Sequence, residues 1–251
     1  MVRKPILWAT LILAGLSHPG PAYADGLGDL RAALEKLQGT SPLRVTLTAQ
    51  VSTTSRDDDD KQRTANGTAS VTAEDGPQGL RIAYPRDIMV RAMAEGAGRQ
   101  SDSTAPIPTR NALNELDYAD VHSMVHAAET LLARLEGARL KGERPDTWNG
   151  APARLLSLDL VVPKNQQFVD KQTATLDVWL DPAGRPLASR AQNASKGSAF
   201  FVVSFESKNR EDRVFTVVGD RLLVTRRDSS GSGSGAGQRG ETKATVTLQV
   251  N

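Results

Sequence analysis

Two histidines four residues apart, His122 and His126 in "DYADVHSMVHAAETLLARLEGARL", have the types and spacing best suited to chemistry in this chain. Imidazoles at i and i+4 of a helix can share a metal ion, and Glu129 follows about one turn on. The zinc-protease pattern is not met, because Ser123 stands where its general-base glutamate would be. Cysteine is absent and the third histidine, His18, falls in the leader, so any further ligand has to be a carboxylate. At about 100° per residue, Val121, Met124, Val125, Ala128, Leu132 and Leu135 form one buried stripe. His126 then falls opposite the centre of that stripe, with His122 and Glu129 on its flanks. The expectation is a solvated pair, with no metal and no cofactor; a metal-dependent protein using His122 and His126 is the third-ranked reading.

Other chemistry has less footing. Asp57 to Asp60 are four adjacent carboxylates without the spaced ligands, glycine and distal glutamate of a calcium loop, and read as an exposed turn. There is no G-x-S-x-G elbow, phosphate loop or dinucleotide fingerprint. Aromatics make up only 4% of the chain, a poor supply for a sugar-stacking cleft. The expectation is a protein that is not an enzyme.

Residues 1–24 read as a cleaved secretory signal: Arg3 and Lys4, the apolar "PILWATLILAGL", then Ala22-Tyr23-Ala24. No later stretch approaches the roughly 20 apolar residues of a transmembrane helix. Removing Arg3 and Lys4 from the 31 basic residues leaves 29, against 29 acidic ones. A near-neutral chain with interspersed charges argues against a nucleic-acid partner. These features point to an exported, disulfide-free protein of the periplasm.

The elements that must position any site come next. Leu27, Leu30, Leu34 and Leu37 mark a short N-terminal helix ending near Gly39. "LRVTLTAQV" alternates, with Leu43, Val45, Leu47, Ala49 and Val51 on one face; "TANGTASVTAE" and "LRIAY" follow as further strands. "PRDIMVRAMAEGAG" predicts a short helix with Ile88, Met89, Ala92 and Met93 on one face, and 111–139 reads as one long helix ended by Gly137 or "KGERP". Seven strands are expected afterwards, with "DPAGRP" and "VGDR" as tight turns, "SSGSGSGAG" as a flexible loop, and "FFVVSF" and "VFTVV" covered on both faces. The result is a single 25–251 domain, mainly antiparallel β with helices (α+β). About ten strands make a curved open sheet, with a helical insertion at about 86–140 lying across one face.

This layout resembles the periplasmic lipoprotein carriers, the LolA/LolB half-barrel superfamily. The residues carrying the likeness are "LGDLRAALEKLQGTSPLRVTLTAQV", "NGTASV" with "GLRIAYP", and "LDVWLDPAGRPLASRAQ". It implies a half-barrel lidded by helices. In place of the carriers' Arg-Pro this chain has "YPRD", and cavity aromatics are few. Methionine suits adaptable apolar surfaces, and Met89, Met93 and Met124 all fall in the helical region. The expected function is therefore non-catalytic binding of a hydrophobic ligand, a lipid or a lipoprotein acyl chain. Candidate lining residues are Val45, Leu47, Leu80, Ile82, Met89, Met93, Met124, Phe201 and Phe205. The alternative is an envelope protein-interaction, sensor or assembly factor on the same fold, with a closed core.

Overall fold

The computed structural model describes residues 25–56, 61–162, 168–199, 203–235 and 238–251. The leader, the Asp57–Asp60 run and Phe201 lie outside them. Helix α1 (Gly26–Lys36) buries Leu30 and Leu34, with Leu27 and Leu37 packed beside them. Strands β1 (Leu43–Arg56), β2 (Gln62–Asp75) and the short β3 (Arg81–Ala83) follow, and then helices α2 (Arg86–Ser101), α3 (Pro108–Asn114), α4 (Tyr118–Val125) and α5 (Ala127–Arg134). The chain returns through β4 (Arg139–Trp148), β5 (Ala151–Asp159), β6 (Val169–Leu180), β7 (Pro186–Ala199), β8 (Val203–Val218), β9 (Arg221–Gly235) and β10 (Gln238–Val250).

All ten strands join one open, curved antiparallel sheet in the order β3-β2-β1-β10-β9-β8-β7-β6-β5-β4. Each neighbour is the next strand in sequence except at one seam, where β1 pairs β10 from Val45↔Val250 to Arg56↔Arg239. The helices lie on one face, α3 against β1 and β2, and α4 and α5 against β9. Between them and the sheet sits a core of Val45, Leu47, Val71, Leu116, Met124, Leu156 and their neighbours. The opposite face carries a smaller apolar cluster in which Trp148 and Trp179 have ring centroids 5.3 Å apart and Arg190 caps Trp179.

The expected tight turns form. Asp181 Oδ1 accepts from the backbone N–H groups of Ala183 and Arg185, both at 2.9 Å, and Gly184 takes a φ of +82° that its lack of a Cβ permits. Four expectations are corrected. The 111–139 helix is three helices. Pro108 starts α3, whose first N–H groups are capped by Glu95 of α2; the Asp117 side chain caps α4 by accepting from Asp120 N at 2.8 Å; and His126 leaves helical geometry at φ −111°, ψ 52°. "KGERP" is inside edge strand β4, where Pro145 and alternating charges suit a strand with one free side. The serine-glycine run is the end of β9, paired with β8 on one side and β10 on the other, so two ladders of backbone hydrogen bonds override its low strand propensity. "VFTVV" is not covered on both faces throughout: Phe215 is buried and Val214 and Val218 are half-buried, while Thr216 is exposed and Val217 is 38% exposed.

Helix α3 sits so close to β2 that a Cβ on Gly67 would lie 1.9 Å from the Pro108 carbonyl oxygen. Gly67→Val should cost about 2 kcal/mol through forced displacement of α3. Gly142→Ala, which meets open space, should be near neutral. Urea midpoints of the two variants check this.

Candidate functional site

The helix-covered face changes character along its strands. Four successive rows of cross-strand neighbours on β7, β8, β9, β10 and β1 show it. The first row is Ser189, Arg213, Arg227, Val246 and Ala49, and the second is Ala191, Glu211, Ser229, Ala244 and Val51. The third is Asn193, Asn209, Gly231, Thr242 and Thr53, and the fourth is Ser195, Ser207, Gly233, Gly240 and Ser55. Apolar and charged positions under the helices thus give way within four residues to amides, hydroxyls and glycines.

Arg213 and Arg227 face each other on adjacent strands and are only 5% and 3% exposed. Like charges so placed are tolerable only when each is matched. Arg213 donates from Nε and Nη2 to the two Glu211 carboxylate oxygens at 2.9 and 3.2 Å, and from Nη2 to Ser123 Oγ of α4 at 3.3 Å. Arg134 of α5 donates to the same Glu211 at 2.9 Å. Arg227 donates to the Glu115 carbonyl at 3.0 Å, to Glu115 Oε2 at 2.9 Å, and to Asp120 of α4. A third buried arginine, Arg221, pairs with Asp75 at the end of β2. Burial alone would raise the Glu211 pKa, but Arg213 and Arg134 outweigh it and hold the carboxyl at about 2. Burial raises Glu115 despite Arg227 beside it, and burial lowers Arg213.

Where this charged zone ends, a cleft of about 460 Å³ opens between the helices and the sheet. Glu115 and Arg134 form its helical wall; Asn193, Asn209, Gly231 and Thr242 are on its sheet side. A Cβ on Gly231 would lie 2.7 Å from Asn209 Oδ1, so the glycine leaves room for that amide.

The predicted lining residues do not share a cavity. Val45, Leu47 and Met124 are fully buried core, and Leu80 and Ile82 are half-buried against it. Met89 and Met93 are 40% and 71% exposed, because Ile88 and Ala92 supply the buried face of α2. They line a shallow surface groove of about 480 Å³ with Leu113. Phe205 is half-buried near Gly197, far along the strands, and Phe201 is outside the described residues.

The histidines are not opposite the packing face. The break at His126 turns its ring toward the sheet, where Nε2 lies 3.4 Å from Asp75 Oδ2 and the side chain is 25% exposed. His122 stacks on it at 4.4 Å between centroids, and Tyr118 flanks His122 at 5.9 Å. One ligand atom each from His122, His126 and Glu129 lie within 4.8 Å of one another. A uniform helical wheel misplaces His126 because it carries one phase through the break.

No family model matches the chain, and no curated protein or solved structure is detectably similar to it.

Glu211→Gln should destabilise the fold by about 3 kcal/mol at pH 7, since it strips a buried arginine of its carboxylate. Because the folded-state pKa of Glu211 is depressed from 4.5 to about 2, its contribution is complete above the unfolded value and declines as pH falls between those two. Denaturation midpoints of wild type and Glu211→Gln should therefore converge as pH is lowered through that window.

Proposed function

We propose that this is an exported, non-catalytic binding protein of the periplasm that docks an extended segment of an envelope protein partner in the cleft beyond its helical layer. The observation that carries the reading is the change across one sheet face, from closed core to a polar, glycine-bearing floor at the cleft. The cleft sets the amides and hydroxyls of Asn193, Asn209, Ser229 and Thr242 beside the small apolar patch of Leu160, Ala174 and Ala191, a mixture that suits an extended peptide with its backbone donors and acceptors and its side chains. The closed packing of Val45, Leu47 and Met124 weighs against an acyl chain under the helices. The strongly perturbed charges are engaged with one another as ties between helices and sheet, which supports a scaffold over a catalytic centre. The N-terminal helix, open antiparallel sheet and helices on one face support the half-barrel carrier layout. Export rests on the leader-like residues 1–24, and no helix among the described residues is long and apolar enough to cross a membrane.

One observation favours a second reading. The exposed Met89 and Met93 groove on α2 could hold a hydrophobic ligand, as the carrier resemblance implies.

A photo-crosslinking amino acid at Asn193 should capture a discrete envelope protein in cells, and one at Thr247, an exposed position on β10, should not. Equal labelling at both positions, or none at Asn193, would overturn the docking assignment. Stoichiometric uptake of a fluorescent fatty acid, lost in Met93→Asp, would transfer the function to the second reading.

A further inference from the structure

We propose that His122, His126 and Glu129 form a binding site for one divalent transition-metal cation of the zinc class, distinct from the cleft. Three ligand atoms from these residues already lie within 4.8 Å of one another, and all three side chains are at least partly open to solvent. Tetrahedral zinc, with bonds of about 2.0–2.1 Å, places its ligand atoms roughly 3.3 Å apart. Closing the difference takes a shift of about 1.5 Å by the same geometry, within the reach of side-chain rotation. Two imidazoles and one carboxylate favour zinc, copper or nickel over calcium or magnesium, which prefer all-oxygen sets.

The surroundings are arranged as a support for such a site. His126 Nε2 lies 3.4 Å from Asp75 Oδ2, an ion-pair distance from which that carboxylate would orient the ring and leave Nδ1 to the metal. Asp75 is in turn held by the buried Arg221, so this carboxylate serves to orient His126 while Glu129 supplies the oxygen ligand. The backbone leaves helical geometry at His126, the residue that separates α4 from α5. A bound cation would thus tie α4, which carries His122, to α5, which carries Glu129, across a break with no continuous helical backbone. Three protein ligands leave a coordination position for water or for a side chain from another molecule.

The test uses tag-free protein prepared without metal-affinity resin, stripped with chelator and titrated with ZnCl2 by calorimetry and by thermal melting. One Zn²⁺ per chain should bind, with a rise in melting temperature. His122→Ala and His126→Ala should each weaken binding at least tenfold and abolish the rise, and Glu129→Gln should weaken it several-fold. His122→Gln keeps a polar side chain of similar length, so its loss of Zn²⁺ uptake carries the test if the alanine variant fails to fold. Uptake below one equivalent in wild type, or uptake unchanged in His122→Gln, would overturn the site.

Discussion

The helical layer is held in register by buried arginines that would otherwise be intolerable. Arg213 and Arg227 are directly opposed in the sheet, so the strand pairing that builds the core also brings two like charges together. Their neutralising groups come from two sources, Glu211 on β8 and the Glu115, Asp120 and Ser123 set on or just before α4. Sliding α4 by one turn would leave a guanidinium buried without its carboxylate, a change of about 3–5 kcal/mol. Aliphatic contacts alone would discriminate poorly between such placements, since leucine and methionine repack with little loss. Hydrophobic burial drives the layer onto the sheet, and the ion pairs select where it rests.

The same interaction defines the cleft. Arg134 completes the Glu211 pair from α5 and also forms part of the cleft wall, while Glu115 does the equivalent beside Arg227. Their charges are consumed on the core side, and the next row of the sheet presents Asn193, Asn209 and Thr242. The packed, ion-paired zone and the polar floor of the cleft are therefore only one row of residues apart.

Much of the sheet was legible in the sequence. Period-two alternation located β1 with its buried face, the leucine spacing located α1, and the Asp181 and Gly219 turns were recognisable from residue type. The number of strands also came out at ten, although β4 was missed and the chain around 203–218, read as parts of two strands, is one. What could not be read has a common cause. Ser229 to Gly235 is strand because of what lies on either side of it, and Lys141 to Pro145 is strand because β5 offers an edge. Neither fact is local. The two opposed arginines carried a usable signal, since Arg213 is in phase with the buried Phe215, but it becomes visible only once the strand is drawn as one. The cleft residues Asn193, Asn209 and Gly231 are far apart in sequence and carry no motif.

The seam between β1 and β10 has a consequence for how the chain reaches this state. Every other pairing joins sequence neighbours and can form as the chain lengthens, whereas β1 has to wait for a partner some two hundred residues later. Until then the sheet exists as two fragments, β1 to β3 and β4 to β9, whose β1 and β9 edges await β10 in addition to the permanent edges β3 and β4. Such edges are templates for pairing with other chains. The most vulnerable stage thus ends with the arrival of β10, which makes Gln238–Val250 a clasp in time as well as in space.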